Sequence, residues 1–185
     1  MDIRKRLRMA LLNEGAHKNE YGCVMVFLDA DQKRWNEMQD MIDEDDLYDP
    51  KDDTGFGRET EPHVTILFGL HNNILDKDIE EEIDSLKTPK MAFKGISSFA
   101  NPKFDVLKFD VESEDLHKAN KKFTDNFPYT NDHPKYHPHC TIAYLKPKMA
   151  DKYIKKLKEM VDIEIKPSKF VYSKADGTKK NYKLK

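Results

Sequence analysis

The chain has 185 residues, 36% of them charged against about a quarter in ordinary soluble domains, yet its 32 Lys plus Arg and 34 Asp plus Glu nearly cancel to a net charge of −2. That balance excludes a general DNA- or RNA-coating protein, which needs a strong basic excess, so no long nucleic acid is expected as a partner. No apolar run approaches the roughly 18–20 residues of a membrane span, and the length suits one domain with a sizeable core.

Residues 1–14 fit a short helix, with Ile3, Leu7, Ala10 and Leu11 on one stripe and Arg4, Lys5, Arg6 and Arg8 around it. No apolar stretch follows this basic start, so it does not read as a signal peptide. Cys23 and Cys140 are too few for a disulfide framework and read as reduced thiols of a cytoplasmic protein. The β-branched and aromatic run Tyr21–Asp29 predicts a buried strand. Asp31 can cap a helix reaching about Ile42, with Trp35, Met38 and Ile42 on its inner face. Residues 43–61 hold Asp43, Asp45, Asp46, Asp49, Asp52 and Asp53 with Pro50, Gly55 and Gly57, and predict a long acidic loop. It lacks the spacing of a calcium loop, and its charge would repel an anionic ligand, so it is expected to point outward.

A second strand is predicted over His63–Leu70, then a helix over 75–87 with Leu75, Ile79, Ile83 and Leu86 inward. Strands over 91–99 and 104–112 are joined at Asn101-Pro102. A helix over 114–126, a strand over 139–145 and a helix over 149–160 follow, then strands over 163–173 and 179–184 around a turn at Ala175–Thr178. The order β-α-β-α-β therefore occurs twice, with one strand added. It predicts a single bilobed domain with a first half over about 20–100, a second over about 103–173, and a C-terminal hairpin turn and strand over 174–185.

The third element of each half carries nearly the same pentapeptide, Pro62-His-Val-Thr-Ile66 and Pro138-His-Cys-Thr-Ile142. From average residue usage, a second match by chance is roughly a one-in-a-thousand event. Side chains alternate along a strand, so His63 shares a face with Thr65, and His139 with Thr141. Val64, Ile66 and Phe68, and likewise Cys140, Ile142 and Tyr144, are then expected on the core side. If the halves pack about a pseudo-two-fold axis, both His/Thr pairs meet across a cleft.

Two imidazoles and two hydroxyls suit phosphodiester chemistry. Near neutral pH one histidine can take a proton from the attacking water or ribose 2′-OH while the other gives one to the leaving oxygen. The threonine hydroxyls can donate to the phosphate oxygens that gather charge. This scheme uses no metal or cofactor, and either histidine fits either role. A rival is a metal set of His133, His137 and His139, but no carboxylate or cysteine is placed to complete it. Lys174-Ala-Asp-Gly177 matches the lysine motif of nucleotidyl-transferring ligases. Asp-Gly between two alternating runs instead reads as a hairpin turn.

The paired H-x-T motifs resemble the two-histidine (2H) phosphoesterase superfamily, which includes the so-called 2′-5′ RNA ligases and cyclic nucleotide phosphodiesterases. The resemblance covers about residues 20–173. It implies an α+β fold of two pseudo-symmetric lobes, each an antiparallel sheet with helices on its outer face, around a central cleft. It also implies that His63 and His139 are the acid/base pair and that Thr65 and Thr141 hold phosphate. Tyr21-Gly-Cys-Val-Met25 and Glu59–Leu70 are similar to segments of phage anti-CBASS nucleases, which degrade the cyclic di- and trinucleotides of bacterial antiviral signalling. That likeness places Tyr21 near substrate and implies a base stacked on an aromatic ring. Phe93 and Phe99 lie in the right stretch, and each also suits the core. Two other functions fit the motifs: opening of 2′,3′-cyclic phosphates at RNA ends, and a sponge that binds cyclic nucleotides without cleaving them.

Overall fold

A computed structural model describes residues 21–48, 56–131, 135–160 and 163–185. The helix expected over 1–14, part of the acidic loop (Asp49, Asp52 and Asp53) and His133 lie outside the described residues. The strands are β1 (Tyr21–Ala30), β2 (His63–His71), β3 (Ala92–Ala100), β4 (Asp105–Glu112), β5 (His139–Leu145), β6 (Ile165–Ser173) and β7 (Lys179–Lys183). The helices are α1 (Gln32–Asp40), α2 (Asp76–Asp84), α3 (Glu114–Asn126) and α4 (Ala150–Lys156). Asp31 caps α1 by accepting from the Lys33 and Arg34 amides at 3.0 and 3.2 Å, and Ser113 caps α3 by accepting from Leu116 N at 3.1 Å. Two helices are shorter than expected: α2 lacks its anticipated last turn, and a separate 3₁₀ turn, Lys158–Met160, follows α4. Leu75, expected inward, is the 69% exposed residue that precedes α2.

The class is α+β, as anticipated. The strands run β3-β4-β5-β2-β1-β6-β7, and every pairing is antiparallel. At the centre, β2 and β5 share a single pair, Val64 with Cys140, whereas the flanking pairings run along whole strands. The sheet is thus two half-sheets hinged at one seam.

These lobes are not the sequence halves. The third strand of each half crosses over: β3 pairs with β4, and β6 pairs with β1. The crossing at β3 follows from a tight turn, in which Asn101 Oδ1 accepts from the Lys103 and Phe104 amides at 2.9 and 3.1 Å and folds β4 back along β3. Helices cover one face, where Val24, Val26, Ile66, Phe109 and Ile142 pack with Trp35, Met38, Ile79, Phe123 and Tyr153. Burial of a large apolar side chain there contributes about 1.5–3 kcal/mol.

Of the acidic loop expected to point outward, Asp43 and Asp46 do turn to the helix side, but Glu59 and Glu61 at its end stand beside His63, so its charge does not point wholly outward. Asp43 and Asp46 both take Lys152 of α4, at 2.5 and 2.7 Å, and Arg58 reaches Glu44 and the Ile42 carbonyl. Lys174 does not stand in a ligase-like site. It pairs with Asp76 at 2.8 Å, and its motif forms the predicted turn, closed by Lys174 N to Thr178 O at 2.8 Å with Gly177 at φ +87°.

Candidate active site

Val64 and Cys140 face the helices, so their neighbours project from the uncovered face. Counting outward from this antiparallel pair sets His63 across from Thr141 and Thr65 across from His139. The two motifs are therefore neighbours because the seam pairs their second residues.

Both histidine rings are anchored alike. The Nδ1–H of His63 donates to the Glu61 carbonyl and that of His139 to the His137 carbonyl, each at 2.8 Å. A carbonyl only accepts, so both rings have the same tautomer, and Nε2 is the nitrogen that can exchange a proton.

The surroundings differ. His63 is buried, stacks on Phe27 at 5.6 Å, and has a Glu59 carboxylate oxygen 3.9 Å from Nδ1. Beside it, a hydrogen bond from Lys179 holds the Glu61 carboxyl below the usual carboxylate range. His139 is half-buried and edge-on to Phe99 at 5.0 Å. Asp110 lies opposite it in β4. Burial pushes the Asp110 carboxyl up, but hydrogen bonds and charge from Lys108 and Ser97 outweigh this and leave it lowered.

Strict alternation fails in both motif strands at the same place. The registers skip Ile66 and Ile142, each a β-bulge directly after the threonine. Each bulge reverses the faces that follow. Leu67 and Ala143 turn to the helix side, while Phe68 and Tyr144, both expected in the core, turn to the open side. Each bulged carbonyl is satisfied by a helix amide: Asn120 Nδ2 donates to Ile66 O at 2.7 Å and Gln39 Nε2 to Ile142 O at 2.8 Å. Tyr136 adds a hydrogen bond from its hydroxyl to the Thr65 carbonyl at 2.8 Å, and burial pushes that hydroxyl's pKa well up.

A cavity of about 660 Å³ opens on this face, within the range of nucleotide-sized ligand sites. Thr65, Thr141 and His139 line it together with Phe68, Phe99 and Tyr144. Lys135 and Lys121, the latter paired with Asp125 at 2.8 Å, also line it, and Tyr129 is an exposed ring at its wall. His63 is not among the lining residues and stands one position from the seam pair. Tyr21 is also outside the lining: it packs on Phe68 at 6.5 Å and on His71 at 5.7 Å, one ring removed from the cavity. Of the two candidate stacking rings, Phe93 packs edge-on against Phe109 in the core, and Phe99 lines the cavity at 39% exposure.

The family described as the 2′-5′ RNA ligase superfamily matches residues 27–178. The chain belongs to this superfamily of two-histidine phosphoesterases. Among solved structures it is similar to Kluyveromyces marxianus Usb1, with a TM-score of 0.55 and 14% identity over 90% of this chain and 99% of that one. Usb1 of the same organism with uridine monophosphate gives a TM-score of 0.54 and 12% identity over 91% and 100%. At such identity the likeness is one of fold. No curated protein sequence matches the chain. No helix among the described residues is long and apolar enough to cross a membrane.

Proposed function

We propose that this chain is a phosphodiesterase that cleaves the 3′-5′ bonds of cyclic di- and trinucleotides by His/His acid–base catalysis, and that it thereby counteracts CBASS-type antiviral signalling. The observation that carries the reading is the matched pair of bulges. Each motif strand sends a histidine, a threonine and an aromatic ring (Phe68 or Tyr144) to the same face. A scissile phosphodiester flanked by two nucleosides has the same symmetry, with one phosphate at the centre and a base on either side. Stacking of a base on an aromatic ring is worth about 1–3 kcal/mol and tolerates any base.

In this scheme one Nε2 takes the proton of the attacking water or 2′-OH, and the other protonates the leaving oxygen. Thr65 and Thr141 donate to the non-bridging oxygens, and Phe99 offers a further stacking face. Tyr21 supports Phe68 from behind, and so reaches substrate through that ring.

The test is a nucleotide panel in EDTA. Cyclic 3′,3′-linked dinucleotides are expected to give linear product. His63→Ala and His139→Ala are each expected to lower kcat by about 10²–10⁴-fold while ligand binding stays measurable. Normal cleavage by both variants overturns the mechanism. Binding without cleavage by the wild type establishes a sponge. A second reading, opening of 2′,3′-cyclic phosphates at RNA ends, draws on the likeness to a structure with uridine monophosphate. Activity confined to such ends decides for it.

A further inference from the structure

The four motif side chains repeat between the lobes, but the floor beneath them does not. In one lobe, Met25 lies opposite Thr65, Phe27 opposite His63, and Val171 opposite Met25. Those three residues pack together with Phe68 as an apolar cluster. The matching positions in the other lobe are Lys108 opposite Thr141, Asp110 opposite His139, and Ser97 opposite Lys108. Pseudo-symmetry thus sets a charged network against an apolar one at equivalent places.

Lys108 is the centre of that network. Its side chain is only 5% exposed, a rare position for an ammonium. Nζ donates to Ser97 Oγ at 2.7 Å and to Asp110 Oδ1, and it lies 4.2 Å from the centre of the Phe99 ring. Ser97 Oγ donates to the same Oδ1 at 2.8 Å. Phe99 in turn meets His139 edge-on. The Asp110 side chain is 49% exposed. It therefore keeps a carboxylate beside His139 without being sealed in the core.

We propose that Lys108 is a positioning residue that sets the charge felt by His139, by holding Asp110 and the Phe99 ring, and so makes the two histidines of the cleft inequivalent. Desolvation strongly disfavours a buried cation unless it is paired and hydrogen-bonded, so this one is held by its partners in one geometry. With Lys108 and Asp110 both present, their charges largely cancel at His139. Removing either leaves the other acting alone, with opposite sign. Other charged and titratable groups along the same cavity are Lys135 and His137 in the segment before β5 and Lys121 of α3, the last paired with Asp125 at 2.8 Å, while His63 stands on the facing strand of the seam. Glu112, farther along β4, is taken by Lys94 at 2.9 Å.

The bearing on turnover rests on the acid–base reading of the cleft, so the test does not use turnover as its first readout. Ring titration of His139 by NMR in the unliganded protein is the measurement. Lys108→Met, which installs the residue of the other lobe, leaves the Asp110 carboxylate unopposed. It is expected to raise the midpoint of His139 by about one pH unit. Asp110→Asn leaves the ammonium unopposed and is expected to lower it. Lys108→Arg keeps the charge and is expected to titrate close to wild type. Lys108→Met with Asp110→Phe carries the first lobe's residues at both places and is expected to fall between the single variants. Shifts of the same sign in the two single variants, or no shift in either, overturn the proposal. Opposite shifts in a protein that cleaves no nucleotide uphold it and sink the phosphodiesterase reading.

Discussion

His63 and His139 share one anchor, an Nδ1–H donated to the carbonyl two residues back. That bond costs no extra residue, because the chain entering each strand already places the carbonyl there. It fixes tautomer and ring direction together. Thr65 and Thr141 follow from strand alternation and need only their hydroxyls. Thr141 is 4% exposed, so Thr141→Val keeps the shape and removes one donor. The expected result is a fall in kcat of about 10²-fold, checked by steady-state kinetics, with thermal stability changed little. These four residues were legible because they recur at equal positions and period two orders them. Phe68 and Tyr144 were not, because a bulge after each threonine turns them around. The choice between Phe93 and Phe99 also waited on the fold: both lie on β3, and only the pairing with β4 shows which faces the core.

At the scale of elements, the bulges depend on helices from the opposite half. Gln39 of α1 reaches the bulge of β5 across 103 residues of sequence, and Asn120 of α3 reaches that of β2 across 54. Asn120 is the side-chain donor to the Ile66 carbonyl, and its loss costs about 1–3 kcal/mol, whereas the Ile142 carbonyl also accepts from Glu59 N at 3.0 Å and keeps that donor without Gln39. Asn120→Leu is therefore expected to lower stability by that amount in urea titrations, and Gln39→Leu by less. Each is also expected to weaken nucleotide binding, because the ring beyond its bulge loses its set direction. Gly69 plays a related part after the first bulge. It has φ +99°, and a side chain there would meet the Thr130 carbonyl at 2.0 Å, so the segment before β5 can lie against β2 only because glycine occupies the position. No local propensity announces such long-range partners, although a polar residue inside the apolar stripe of α1 or α3 is a weak signal of one.

Over the whole molecule, ion pairs tie the periphery to the sheet. Lys152 of α4 holds Asp43 and Asp46, and Lys174 and Lys180 of the last hairpin hold Asp76 at the start of α2. Hydrogen bonds from these lysines lower the pKa values of all three carboxyls. A carboxyl lowered on folding contributes stability above its unfolded value, near pH 4, and that contribution is lost as pH falls through the folded value. The pairs are exposed, so their share is small and falls with salt. Lys152→Met is expected to leave stability at pH 7 nearly unchanged and to make unfolding less sensitive to acid below about pH 5, followed by thermal melts across pH.

The sequence alone determined the α+β class, the doubled β-α-β-α-β order and the four motif side chains. Each of these rests on local periodicity or on repetition, which a linear chain displays openly. Only the tertiary structure decided that the lobes exchange their third strands and that Val64 meets Cys140 at the seam. It also decided that Phe68, Tyr144, Phe99 and the Lys108–Asp110 pair stand around the motifs. Those facts depend on which strand edges meet and where a register slips. Both are set by packing between residues far apart in the chain, and no short window of sequence contains them.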